Sequence, residues 1–210
     1  MKFKAIIFDL DNTIYSVYSI GDKLFEPLFN LLQNEPDLVD KLESIKKDIM
    51  RKPFQKVAAE YQLSETLIKK GLEILKELTV DMRMTTFEDY ISTKKIDCDK
   101  FLVTVGFTKM QEGKIKNLEI KDDFNEIYII DPQKDNKTKK EVFADIMESH
   151  QYQPNDLIVV GDDPNSEIQA AKELGIKAIM YDKLLFNSHR TDLIRITDYQ
   201  QLIKFIEDYE

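Results

Sequence analysis

The 210-residue chain contains one cysteine, Cys98, so no disulfide can close within it and no thiolate cluster can hold a metal. A reducing compartment suits such a chain, and a cytoplasmic location is the expectation. Cys98 itself sits in the polar run "KKIDCDK" with no partner histidine, and reads as incidental rather than nucleophilic. No apolar run approaches the length of a membrane span, and the one in "MKFKAIIFDLDNT" is too short for a signal peptide. Positive charge is in deficit: 30 Lys and Arg face 39 Asp and Glu, a net charge of -9. That balance argues against a nucleic-acid polymer or an anionic membrane as partner. It still permits a small anionic substrate, because a bound cation or local lysines invert the field inside one cleft. No internal repeat, low-complexity tract or long linker is present.

What is present alternates between two textures. Residues 4–8 ("KAIIF"), 101–105 ("FLVTV"), 127–131 ("IYIID"), 157–161 ("LIVVG") and 177–181 ("KAIMY") are short runs rich in β-branched and aromatic residues. They read as strands buried on both faces. Residues 107–118, 138–150 and 165–174 carry helical spacing, the last stopped by Gly175 as a left-handed cap. The alternation predicts an α/β fold with a Rossmann-like parallel sheet covered by helices on both faces.

Residues 16–82 break the rhythm. Leu38, Leu42, Ile45 and Ile49 fall at helical spacing behind Pro36, and a further helix starts at Ser64 with Leu67, Ile68, Leu72, Leu75 and Leu78. Pro27 and Pro53 are expected to bend or end helices. The segment is read as a helical bundle inserted after the first strand, giving a core domain of 1–15 and 83–210 and an inserted domain of 16–82.

In an open parallel sheet, ligands bind beyond the carboxyl ends of the strands, so the polar residues there carry the information. The first strand ends in Asp9 and Asp11, the second in Thr104, the fourth in Gly161, Asp162 and Asp163. Asp9 and Asp11 are two apart and, on extended backbone, face one cleft. Beside Asp162 they would repel strongly unless a cation joined them, and hard oxygen ligands suit magnesium. The hydroxyl of Thr104 and the backbone turn after it, through Val105 and Gly106, form an anion cradle to which a lysine of "NKTKKE" would add charge.

Four stretches resemble the motifs of the haloacid dehalogenase superfamily: "DLDNT" from Asp9, Thr104 in "FLVTVGFT", "KTKKEVF" aligning Lys137 with Phe143, and "VVGDDPNSEI" with Asp162, Asp163 and Glu167. The resemblance covers the sheet segments, and residues 16–82 have the size and place of that family's helical cap. It implies a phosphatase in which Asp9 is the nucleophile and Asp11 the acid and base. Thr104, Val105 and Lys137 would hold the phosphate, and Mg2+ would be bound by Asp9, Asp11 through its backbone carbonyl, and Asp162. Asp163 and Glu167 would orient the metal's water ligands. An acid at position 11 favours phosphoryl transfer over carbon–halogen cleavage. Val105 stands where many relatives carry Asn, and Glu167 where Asp is commoner. "TVGFTKMQEGKIKNL" together with the helical insertion resembles pyrimidine-type 5'-nucleotidases, which implies a nucleoside monophosphate. A sugar phosphate, phosphoglycolate or phosphomutase chemistry stays open, as does a metal-binding regulatory protein. The expected partner is a small phosphorylated metabolite.

Overall fold

Alternation along each apolar run explains why both faces of the sheet are covered. In a computed structural model, which describes residues 3–134 and 136–209, β1 (Ala5–Phe8) sends Ala5 and Ile7 to one face and Ile6 and Phe8 to the other. β2 (Asp99–Val105) divides Phe101 and Val103 from Leu102 in the same way. After β3 (Glu126–Ile130), β4 (Leu157–Gly161) repeats the pattern with Leu157 and Val159 against Ile158 and Val160. β5 (Lys177–Tyr181) and the two-residue β6 (Arg195–Ile196) complete the sheet among the described residues. Residues 1, 2, 135 and 210 of the predicted core domain lie outside the described residues.

All pairings are parallel, in the order β3-β2-β1-β4-β5-β6. The chain works outward from β1 to β3, then returns to the other side of β1 at β4. The crevice beyond the carboxyl ends of β1, β2 and β4 is therefore the point where the topology switches.

Five helices follow β1 before β2 begins: α1 (Gly21–Leu24), α2 (Glu26–Gln33), α3 (Leu42–Ile49), α4 (Phe54–Glu60) and α5 (Glu65–Glu77). Ser64 caps α5, its hydroxyl accepting from the Leu67 N–H at 3.3 Å. The prolines open helices here instead of bending or ending them: Pro27 lies in the first turn of α2, and Pro53 directly precedes α4. A first-turn proline lacks only an N–H that would have no partner anyway. Pro36 starts a 3-10 turn, Pro36–Lys41, that runs into α3.

The remaining helices cover the sheet. α6 (Thr108–Asn117) follows β2, and its first N–H is satisfied by the Asp131 carboxylate at the end of β3, 2.9 Å away. α7 (Lys139–Ser149) and α8 (Glu167–Glu173) pack Val142, Phe143, Ile146, Ala170 and Ala171 onto the face carrying Ile7 and Val159. On the opposite face α6, α9 (Tyr199–Glu207) and the inserted helices share one continuous core with Ile6 and Phe8. β6 and α9 lie beyond the last strand predicted from sequence; two residues are too few to show a period. Among the described residues no helix is long and apolar enough to cross a membrane.

Candidate active site

Register fixes the site. Phe8 pairs with Leu102 on one side and Val160 on the other, so two residues further along come Leu10, Thr104 and Asp162, side by side. β1 ends at Phe8, and Asn12 then takes φ 56°, a left-handed conformation that asparagine tolerates. Its side chain fastens the exit from the strand: Nδ2 donates to the Met50 carbonyl at 3.1 Å and Oδ1 accepts from the Val17 N–H at 3.0 Å. Asp9, Asp11, Thr104, Val105, Asp162 and Asp163 all line one chamber of about 430 Å3 between the sheet edge and the inserted helices.

The two carboxylates of "DLDNT" face that one chamber, as their spacing predicts, but each has its own lysine. Asp9 is buried, with Oδ1 2.5 Å from Lys139 Nζ; the same ammonium reaches Glu167 Oε2 at 2.7 Å. Asp11 accepts from Lys114 Nζ at 2.8 and 2.9 Å, from Gln111 Nε2 at 3.1 Å and from the Tyr15 hydroxyl. The strong repulsion expected between them is relieved by these side chains.

Burial pushes the Asp9 carboxyl up to about 7 against the pull of Lys139, with the charge of Glu167 adding to the rise. Burial likewise raises Asp162 well above the carboxylate range, reinforced by Glu167 and Asp9. At Asp11 burial also opposes the charge, but Lys114, Tyr15 and Gln111 overcome it and hold the carboxyl below its ordinary value. Burial disfavours the Lys139 charge, and Asp9 and Glu167 more than offset that, keeping it protonated.

A carboxylate oxygen from each of Asp9, Asp162 and Glu167 lies within 4.8 Å of the other two. Three carboxylates meet here and the one ammonium contacts two of them, Asp9 and Glu167, which leaves an excess of negative charge on hard oxygen donors. That donor set fits a divalent cation of the magnesium type. Glu167 is thus a member of the cluster itself, where the sequence placed it behind the metal ligands. Gly161 makes room for it: a Cβ there would stand 2.2 Å from Glu167 Cγ and 2.3 Å from Oε1. Asp163 is outside the three-carboxylate group. Its N–H donates to Glu167 Oε1 at 2.7 Å, and its own Oδ1 accepts from the Asn165 N–H, a turn-forming contact. It does not cap α8, whose N-cap is Ser166.

Lys137 does not reach the cluster. Its ammonium lies 2.7 Å from Asp145 Oδ2, and the side chain is 51% exposed against 7% for Lys139. The reason is the helix start. Thr138 and Glu141 form a reciprocal capping box, which puts Lys137 before the helix and Lys139 at its first position. From there Lys139 shares a face with Val142 and Phe143, the buried face of α7. The "TKKE" signature was legible and places the helix start at Thr138, ahead of Lys139. Lys134 turns to Thr108 and Asp131, and Lys140 to Glu173.

Gln111 and Lys114 are additions that motif matching did not supply. Gln111 Nε2 donates to Thr104 Oγ1 at 2.6 Å as well as to Asp11, bridging the two motif residues. Its Oε1 is buried without a partner, a cost of roughly 1–3 kcal/mol accepted where the Nε2 donor is needed. A signal existed: Phe107, Met110, Gln111, Lys114, Ile115 and Leu118 follow one helical stripe, and all are buried. Two polar residues inside an apolar stripe mark a buried contact. Val105 lines the chamber through a half-exposed apolar side chain, and its carbonyl accepts from Gln111 Nε2 at 3.4 Å.

The family model described as haloacid dehalogenase-like hydrolase matches residues 6–181. No curated protein sequence gives a match. Among solved structures, a haloacid dehalogenase-like family hydrolase from Streptococcus pneumoniae superimposes with a TM-score of 0.71 at 22% identity, covering 97% of this chain and 99% of its own. A HAD phosphatase from Thermococcus onnurineus gives 0.66 at 17%, over 97% and 98%. L-2-haloacid dehalogenase from Xanthobacter autotrophicus gives 0.59 at 14%, over 98% of each chain. These similarities establish the fold, in which both phosphatases and dehalogenases occur. With the family model spanning the sheet from β1 to β5 and all the inserted helices, the chain belongs to the haloacid dehalogenase-like hydrolases.

Proposed function

We propose that this hydrolase is a magnesium-dependent phosphatase that cleaves a small phosphomonoester through an aspartyl-phosphate on Asp9. The observation that supports it most is the division of labour between two carboxylates in one chamber. Asp9 belongs to the cation-binding cluster, while Asp11 is held apart by Lys114, Gln111 and Tyr15.

In the first step an Asp9 carboxylate oxygen attacks phosphorus, the bond from phosphorus to the leaving oxygen breaks, and that oxygen takes a proton from Asp11, which, ionised at rest beside Lys114, has first accepted it from the monoanionic ester. In the second, water attacks the phosphorus of the aspartyl-phosphate, its proton passes to Asp11, and Asp9 is released as a carboxylate. Thr104 Oγ1 and Lys139 Nζ bind the phosphoryl oxygens; Gln111 fixes the position of the former and the first turn of α7 that of the latter. A divalent cation held by Asp9, Asp162 and Glu167 supplies neutralisation of the phosphoryl charge. Residues 16–82 serve as a cap that excludes water and selects the leaving group.

Carbon–halogen cleavage is the competing activity within the fold. An acid at position 11 anchored by a lysine, in place of an apolar or neutral surface for a haloacid, favours phosphoryl transfer. Phosphate release from a chromogenic aryl phosphate, with and without magnesium, tests the proposal beside Asp9→Asn. The expected loss is at least about 1000-fold in kcat. Equal rates for the two proteins across metals and pH would overturn it.

A further inference from the structure

The chamber's walls bear on which leaving group it accepts, a question that rests on the phosphatase proposal above. Part of its wall is formed by Phe25, Ile49, Met50 and Phe54 from the inserted helices and by Phe107 and Met110 from α6 and its approach, all buried. Most polar groups of the three side chains Asn12, Gln111 and Lys114 are already engaged, Gln111 Oε1 excepted. Asn12 is bonded at both ends to backbone, Gln111 Nε2 to Thr104 and Asp11, and Lys114 to Asp11. Of the cations at the mouth, Arg51 lies over the Phe186 ring at 4.1 Å and Lys52 is paired with Glu60 at 2.7 Å. Thr104, Asp162 and Asp163 belong to the end that holds Asp9, and Gln55, Lys56 and Ser166, none of them fully buried, are the further polar side chains.

We propose that the natural leaving group is an apolar, ring-sized alcohol, and that polyol phosphates are poor substrates because the six apolar side chains of this wall offer no hydrogen bond to replace the water on their hydroxyls. A hydroxyl buried without a partner costs about tenfold to a hundredfold in kcat/KM. A ring of carbon atoms loses nothing there and gains contact with the Phe25, Phe54 and Met110 side chains. The chamber's width depends on Gly71 of α5. A Cβ at that position would stand 2.6 Å from Cε1 and Cζ of Phe54, so the Phe54 ring occupies space that only glycine leaves open.

The test compares primary-alcohol esters of like chemical reactivity: benzyl phosphate and cyclohexylmethyl phosphate against glucose 6-phosphate, uridine 5'-monophosphate and phosphoglycolate, by phosphate release with magnesium. The two apolar esters are expected to exceed glucose 6-phosphate and phosphoglycolate at least about 100-fold in kcat/KM, with the nucleotide between. Met110→Gln, close in shape, adds a hydrogen-bonding group to the wall and should narrow the gap between benzyl phosphate and glucose 6-phosphate about tenfold. Gly71→Ala should push the Phe54 ring into the chamber and raise KM for benzyl phosphate more than for methyl phosphate. Glucose 6-phosphate or phosphoglycolate matching benzyl phosphate in the unaltered protein, or a gap unmoved by Met110→Gln, would overturn the inference and leave the phosphatase proposal standing. Release of chloride from 2-chloropropionate with no phosphate release from any ester would overturn both.

Discussion

Two lysines two positions apart meet different fates. Lys137 pairs on the surface with Asp145, while Lys139 is buried between Asp9 and Glu167. Lys139→Met is therefore expected to lower kcat/KM for an aryl phosphate by about 100-fold or more, the scale of losing one preorganised donor to the reacting group. Lys137→Met should change it less than about twofold, since surface ion pairs contribute little. Steady-state kinetics on the two variants decide the assignment: equal losses, or a loss only at Lys137, would remove Lys139 from the site. The same comparison shows what residue identity hides. Four lysines in seven positions look alike in sequence, and the distinction comes from where the Thr138–Glu141 capping box starts the helix.

The elements around the site work through close approach. The strand-to-helix turn after β4 brings Glu167, the first residue of α8, back over Gly161, where any side chain would collide with it. Gly161→Ala should displace Glu167 from the cluster and weaken magnesium affinity about 10- to 100-fold, the usual scale for disturbing a metal's supporting carboxylates. Calorimetric titration with magnesium measures this directly, and unchanged affinity would mean Glu167 takes no part in holding the cation. The partner element is α6, whose buried stripe carries Gln111 and Lys114 to Thr104 and Asp11. The geometry on the β2 side of the crevice thus depends on a helix outside the four recognisable motifs. The insertion closes the other side, with α5 set against α2 and α4 and the Phe54 ring over Gly71.

At the scale of the whole molecule, the acidic crevice links stability to pH and to metal. Burial raises Asp9 from 3.8 to about 7 and Asp162 well above 3.8. In that window the folded state binds more protons than the unfolded chain, so the slope of stability with pH is negative. Stability from Asp9 falls as pH rises from near 4 through about 7, and that from Asp162 falls as pH rises above its ordinary value. A cation bound by the ionised carboxylates reverses the penalty. Thermal unfolding in a chelator should therefore give a lower Tm at pH 8 than at pH 5.5, and magnesium should raise Tm more at pH 8. Asp162→Asn is expected to raise the metal-free Tm at pH 8 and to remove most of the magnesium shift. A magnesium shift equal in that variant and the parent would place the cation elsewhere.

Much of this architecture is legible in the chain. The apolar runs from Ala5 to Tyr181 became five of the strands, because residues buried on both faces of a parallel sheet must be continuously apolar. Asp9, Asp11, Thr104 and Asp162 fall at strand ends, and strand register alone brings them to one crevice. β6 and α9 escaped notice, one too short to show a period and the other beyond the last apolar run.

The sequence by itself determined the first five strands and the acidic residues placed at their ends, since each follows from local periodicity or from position along the chain. Only the tertiary structure decided which charges pair. Lys139 joins Asp9, Lys114 joins Asp11 from 103 residues away, and Glu167 enters the carboxylate cluster. Such pairings depend on desolvation and on distances between elements, and neither is written in the spacing of residues along one strand.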